Sequence, residues 1–141
     1  MAHPIVRSIH QRLGPQLRFV FRHFPLTQVH PHAEHAAELA EAAATQGLFW
    51  PMHDILYANQ HALTDEDLIG YAAQLGMDPR SAASALASNA FADRVREDFL
   101  SGVRSGVNGT PTFFINGVRH DGSWDEPLLL EALQSALYAR R

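Results

Sequence analysis

The 141-residue sequence contains no cysteine. This absence excludes structural disulfides, thiolate metal sites and a cysteine nucleophile within the polypeptide, whatever fold it adopts. Long apolar runs are also missing, and the uninterrupted apolar stretches are too short to span a membrane. The net charge is −4 and the basic residues form no run, which gives no support to nucleic-acid binding. An apolar fraction of 46% and a charged fraction of 18% indicate an ordinary soluble globular protein.

The first residues, MAHPIVRSIHQRLG, show no secretory signal, because polar side chains interrupt them and no apolar h-region is present. We therefore expect a cytoplasmic location for the chain as written. If N-terminal sequence is missing, a periplasmic or exported location is the alternative.

The length fits one domain, residues 1–141, and no internal repeat, low-complexity tract or linker divides it. Apolar spacing, proline at first turns and glycine after last turns predict most of its elements as helices. Helices are predicted over about 4–13, 31–46 and 89–106, within FWPMHDILYANQHA, DEDLIGYAAQL and the segment after Asp78-Pro79, and in the C-terminal DEPLLLEALQSALYARR.

Two segments have the composition of β-strands. The stretch LRFVFRHF, residues 17–24, alternates apolar and basic side chains and predicts a strand that ends before Pro25. Residues 112–115 predict a second strand, which Asn116-Gly117 turns back through a type I′ hairpin into VRHDG. The expected order is helix, strand, a block of helices, hairpin and helix.

Four stretches follow one another along the chain: FVFRHFPL, HPHAEHAAELAEAAATQGLFWPMHDILYANQ, GVNGTPTFFING and the C-terminal helix. In this order they resemble the DsbA-type branch of the thioredoxin superfamily. The resemblance implies an α/β, thioredoxin-like fold in a single domain, with an inserted helical segment over about 30–105. It also implies a family whose members oxidise, reduce or isomerise protein disulfides.

Thr110 and Pro111 are the candidate substrate-binding residues. Proline at the start of a strand has no N–H for a sheet ladder and marks an edge, a bulge or a cis turn. In the resembled family the residue at Pro111 is a cis-proline, and its loop faces a Cys-x-x-Cys motif at the start of the first helix. The resemblance implies that an extended peptide or thiol substrate pairs with the backbone of Thr110.

The sequence departs from that family at the catalytic motif. By resemblance, Cys-x-x-Cys should lie a few residues before Pro4, with a β-strand before it, and the sequence contains neither. We expect an N-terminally truncated fold without catalytic residues, redox-inactive as written, so its status as an enzyme is open. The missing strand would leave the strands at 17–24 and 112–115 unpaired unless they close up or borrow a partner. Three explanations for the missing motif compete: a misassigned translation start, a truncated remnant, and a pseudo-enzyme that keeps the peptide-binding loop and has lost catalysis.

Two other functions remain open. Kappa-type glutathione transferases and 2-hydroxychromene-2-carboxylate isomerases share this architecture and hold glutathione at the same proline loop. A non-catalytic peptide-binding module, or a homodimer that completes its sheet with a second chain, is the other alternative. The upstream coding sequence would distinguish these functions from the oxidoreductase. A Cys-x-x-Cys motif there supports the oxidoreductase, a serine supports the glutathione enzyme, and an upstream stop codon supports the binding module.

The remaining candidate residues receive structural interpretations. His30, His32 and His35 lie within six residues, but only the last two are one helical turn apart, so we expect exposed histidines and no metal site. No cofactor is expected, and neither a hydrolase triad nor a phosphate-binding loop is identifiable. His3 is expected to be a frayed terminal residue. Trp50, His53 and Asp54 are expected to be helix-packing residues without a chemical role, and Ser8 and Ser105 have no identifiable base and acid partner.

Overall fold

The computed structural model describes residues 2–139, which form seven α-helices and one two-stranded sheet. The elements are α1 (Ala2–Leu13), α2 (Ala33–Ala44), α3 (Phe49–Ala58), α4 (Asp65–Gln74), α5 (Pro79–Ala87), α6 (Ala92–Arg104), β1 (Phe114–Ile115), β2 (Val118–Arg119) and α7 (Glu126–Ala139). A short 3₁₀ turn, Gly14–Gln16, follows α1. None of the helices within residues 2–139 has the length and apolar content needed to cross a membrane.

Residues 22–106 form one compact unit that is entirely helical in its regular structure. The alanine-rich helix α2 lies at its centre and packs against α3, α4, α5 and α6. Small side chains on α2 allow the neighbouring helices to approach closely, and Leu39 and Ala43 are completely buried there. Met52 of α3 and Leu68 of α4 complete the middle of this core. The sequence predicts a helical block here, and the structure confirms it.

The ends of these helices are set by local signals. Thr64 and Asp67 form a capping box at the start of α4, and the Asp78 carboxylate accepts a hydrogen bond from the Arg80 N–H at the start of α5. At the end of α2, Gly47 has a φ of +73°, which lets the Leu48 N–H donate to the Ala43 carbonyl. Residues adjacent in sequence therefore set each of these helix ends.

Residues 2–21 and those from 107 onward form a second compact unit. In it α1 packs against α7, and Ile9 and Leu129 are buried. An ion pair of 3.7 Å joins Arg12 to Glu126 in this unit. Because the Arg12 side chain is exposed, the pair adds little to the free energy of unfolding. The arginines expected to close the C-terminal helix, residues 140 and 141, lie outside the described residues.

The predicted hairpin is present but shorter than expected. Phe114 pairs with Arg119 and Ile115 with Val118, so β1 begins at Phe114 and not at residue 112. Asn116 and Gly117 both have positive φ, +50° and +83°, as the predicted type I′ turn requires.

The predicted strand at 17–24 is wrong. In residues 2–139 this segment joins no sheet, although its burial still alternates as it would in a strand. The physical reason is that a strand needs a partner to satisfy its backbone, and β1 pairs only with β2. The sequence also predicts one domain over 1–141 with a helical insertion over about 30–105, and that remains a prediction beside the two units seen here.

Candidate functional site

The loop before β1 exposes both predicted substrate-binding residues. Thr110 and Pro111 are exposed, and a cis peptide bond joins them. On the N-terminal side, the Thr112 hydroxyl donates to the Gly109 carbonyl at 2.6 Å and closes a tight turn around this pair. On the other side, the His120 N–H donates to the Phe113 carbonyl at 2.8 Å, which extends the hairpin by one bond. The loop is therefore held at both ends while its middle faces outward.

The backbone of Thr110 is available for pairing. Within residues 2–139, neither its N–H nor its carbonyl makes a hydrogen bond. A donor and an acceptor on one exposed residue can be satisfied by the main chain of an added peptide strand. The dozen residues from 106 to 117, GVNGTPTFFING, carry no charged side chain. Recognition at this loop would therefore depend on main-chain hydrogen bonds and apolar contact.

A buried polar network lies in the helical unit. The His23 N–H donates to the Asp98 carboxylate at 3.0 Å, and its ring Nε2 lies 2.8 Å from the Glu41 carboxylate. Arg94 donates to the other Asp98 oxygen at 2.8 Å, and this hydrogen bond raises the pKa of Arg94. Arg22 lies 3.7 Å from the same oxygen.

This network joins segment 22–24 to α2 and α6. The ligand atoms of His23, Glu41 and Asp98 all lie within 4.8 Å of one another, as they would in a metal site. However, Asp98 already has a guanidinium on one oxygen and a backbone N–H on the other. Because these donors neutralise its charge and occupy its acceptors, we interpret the cluster as a structural network.

Glu38 is the most unusual titratable group of the helical unit. Its side chain is 1% exposed, and neither carboxylate oxygen has a hydrogen-bond partner. Burial raises the pKa of Glu38, because desolvation disfavours the charged carboxylate. Nearby His35 lowers this pKa, whereas Glu34 and Asp65 raise it further. The sequence interpretation overlooked Glu38.

The three clustered histidines do not converge. His30 and His32 are exposed near the start of α2, whereas the Nδ1 atom of His35 lies 2.7 Å from the Asp65 carboxylate of α4. The hydrogen bond to Asp65 raises the pKa of His35, although partial burial opposes the change. His35 therefore connects two helices, which the sequence did not predict.

Helix α3 carries a row of rings on one side. The His53 ring lies 5.2 Å from that of Trp50 and 4.7 Å from that of Tyr57, between centroids. His53 is buried, as its predicted packing role requires, whereas Trp50 is 44% exposed. Asp54 lies beside His53, with 3.5 Å between their closest polar atoms. Burial raises the pKa of Tyr57.

The other sequence candidates lie apart along the chain. His3 is half-buried near the start of α1, and Ser8 is half-buried further along that helix. Ser105 is exposed immediately after α6. Their interpretation as residues without a chemical role stays a prediction.

A family model for the DSBA-like thioredoxin domain matches residues 1–134, nearly the whole chain. The chain belongs to this family. The match agrees with the order of elements, because helix α1, the helical unit, the hairpin and the first part of α7 lie within the matched residues. In a DSBA-like domain, the Thr110–Pro111 loop is the candidate functional site, as the sequence resemblance implies.

Curated relatives of this DSBA-like domain are much longer proteins. A Na(+)/H(+) antiporter NhaA 1 of Salinispora arenicola is 46% identical over 140 residues, covering 99% of this chain and 21% of that protein. A Na(+)/H(+) antiporter NhaA of Herminiimonas arsenicoxydans is 44% identical over 129 residues, covering 92% of this chain and 20% of that protein. The chain thus spans about a fifth of the length of these relatives.

Proposed function

We propose that this chain is the substrate-docking part of a DsbA-type thiol–disulfide oxidoreductase domain and is redox-inactive by itself. Its substrate is an extended peptide or a thiol, which docks at Thr110 and Pro111. The observation that carries the proposal is the exposed loop, whose Thr110 backbone has both hydrogen-bonding groups unused within the described chain. Family membership over residues 1–134 supports the substrate class.

The redox part of the proposal rests on composition. Thiol–disulfide exchange begins when a thiolate attacks a disulfide sulfur and forms a mixed disulfide. The 141 residues include no cysteine, so they contribute no attacking or resolving sulfur. This chain can hold a substrate, but the sulfur chemistry requires a thiol from another polypeptide segment or molecule.

The relatives' name, Na(+)/H(+) antiporter, describes proteins of which this chain matches about a fifth. We do not extend antiport to this chain, because the matched fifth has the DSBA-like domain as its own family assignment.

Docking can be tested with a short extended peptide whose central residue is S-methylcysteine, which presents sulfur without exchange chemistry. Nuclear magnetic resonance titration of the 141-residue chain should shift the amide signals of Thr110 and its neighbours. Pro111→Ala should weaken binding by about tenfold, because the loop no longer presents Thr110 in its native conformation. Pro127→Ala is the matched control, since Pro127 is an exposed proline in α7 of the same unit.

Equal affinity for the two proline variants, or no shift at the loop, would contradict docking at this site. Redox inactivity is checked separately by insulin reduction in the presence of dithiothreitol. The cysteine-free chain should give the rate of dithiothreitol alone, and a faster rate would overturn the redox part of the proposal.

A further inference from the structure

A cavity of about 360 Å³ opens in the helical unit, between α6, the first turn of α2 and the residues that follow segment 22–24. All of its lining residues belong to residues 22–106, so the proline loop and the hairpin take no part in it. Small-molecule sites are found in the range of about 300–1,000 Å³, and this cavity lies near the lower limit. A ligand for this cavity would therefore be small.

Helix α6 provides an apolar floor to this cavity, made of Val95, Phe99 and Leu100. Val95 is completely buried, Phe99 is half-buried and Leu100 is 39% exposed. The Phe99 ring stacks on that of Phe24, with 4.5 Å between their centroids, which holds it in place. An apolar group that entered the cavity would cover Phe99 and Leu100, and removal of their surface from water favours such binding.

Three charged side chains line the same cavity and are exposed: Glu34 of α2, and Asp93 and Arg96 of α6. Within residues 2–139, none of the three makes a hydrogen bond or an ion pair through its side chain. Asp93 and Arg96 lie three residues apart, so they share one side of α6. The cavity thus presents two carboxylates and one guanidinium beside its apolar floor.

We propose that this cavity binds a free α-amino acid with an apolar side chain. Such a ligand carries a carboxylate, an ammonium and its side chain on one carbon atom. The Arg96 guanidinium matches the carboxylate, because its planar donors can bond both oxygens at once. The Glu34 and Asp93 carboxylates match the ammonium, and the apolar floor receives the side chain. A ligand with a single charge would leave part of this set unpaired. The inference does not rest on the function proposed above.

The first test is a nuclear magnetic resonance titration of the 141-residue chain with leucine, which should shift the amide signals of residues 93–100. Two matched ligands each lack one charge: 3-methylbutylamine has no carboxylate, and 4-methylpentanoate has no ammonium. Each should bind at least about threefold more weakly than leucine, since one charge of the cavity loses its partner. Glycine should bind about tenfold more weakly than leucine, because it has no side chain to cover the apolar floor.

Substitutions in the protein should mirror the changes in the ligand. Arg96→Gln should weaken leucine binding by about threefold to tenfold and leave the affinity for 3-methylbutylamine unchanged, since that ligand has no carboxylate. Glu34→Gln should weaken binding of both leucine and 3-methylbutylamine and should not weaken that of 4-methylpentanoate. Arg80→Gln and Glu66→Gln are the matched controls, because both residues are exposed in the same unit and lie outside the cavity lining. Neither control should change any of these affinities.

Three results would overturn the proposal. The first is a leucine titration that leaves the signals of residues 93–100 in place. The second is equal affinity for leucine and 3-methylbutylamine, since the cavity would then select an amine and Arg96 would have no role. The third is an equal effect of Arg96→Gln and Arg80→Gln, which would indicate a dependence on net charge alone. The ligand series on the unaltered chain decides the first two, so they do not depend on the folding of any variant.

Discussion

At the scale of single residues, Glu38 shows how packing determines chemistry. It lies in α2 among alanines, where sequence alone would place a glutamate on an exposed helix face. The helices that cover α2 bury it almost completely and provide no hydrogen-bond donor to its carboxylate. Burial of an unpaired charge is costly, so burial raises the pKa of Glu38. No local pattern in the sequence could reveal this, because burial depends on which distant helices pack there.

We predict that Glu38→Gln makes the free energy of unfolding less dependent on pH. The folded-state pKa of Glu38 is raised above its ordinary value of 4.5 by burial. The stability that its protonation provides is therefore complete below that ordinary value and is lost as pH rises through the folded-state pKa. Glutamine does not titrate, so the free energy of unfolding of the variant should increase relative to that of the wild type as pH rises. The gain at neutral pH should be of the order of 1 kcal/mol.

Urea denaturation at a series of pH values would measure this difference. Glu131→Gln is the matched control, because Glu131 is exposed on α7. Its stability should follow the wild type across the series. If the difference between Glu38→Gln and the wild type were the same at acidic and neutral pH, Glu38 would not be titrating in the folded state as we describe.

At the scale of elements, helices were predictable and the long strand was not. Helix boundaries follow from neighbours in sequence, such as the capping box at Thr64 and the glycine after α2. The hairpin was also local, since Asn116-Gly117 sets its turn. Residues 17–24 have strand composition, but strand formation depends on a partner elsewhere, and composition cannot supply one.

The same difference between local and distant signals explains which site residues could be predicted from the sequence. Thr110 and Pro111 were identified from a local motif and a family resemblance, and the structure exposes both. The His23 network was not identified, because His23 lies 18 positions from Glu41 and 75 positions from Asp98 in sequence. Spacing along the chain carries no signal for such a cluster.

We predict that Asp98→Asn destabilises the attachment of segment 22–24 to α6. The change removes the charge that Arg94 and Arg22 face, although asparagine can still accept from the His23 N–H. Because both arginine side chains are partly exposed, water can solvate them again, and the loss should be about 1–3 kcal/mol, below that of a fully buried pair.

Chemical denaturation, followed by helical circular dichroism, would measure this loss. Asp93→Asn is the control on the same helix, because Asp93 is exposed, and it should change stability by no more than about 0.5 kcal/mol. A neutral result for Asp98→Asn would mean that the network adds no net stability.

At the scale of the whole molecule, the two compact units differ in how much core each contains. Most buried apolar residues lie in the helical unit, where α2 is covered by four other helices. In the other unit Ile9 and Leu129 are the buried apolar residues among those described. Local opening costs the free energy of the contacts that are lost, so regions with little buried area open more easily.

Native-state hydrogen exchange should therefore give a graded pattern. Amides of α2 around Leu39 and Ala43 should exchange slowest, because opening them exposes the fully buried centre of the helical unit. Amides of the β1–β2 hairpin should exchange fastest among the regular elements, since two paired residues on each strand give a small cooperative structure. Equal protection of α2 and the hairpin would show that the chain opens as one cooperative unit. The graded pattern would instead allow the proline loop to change conformation on binding without unfolding the helical core.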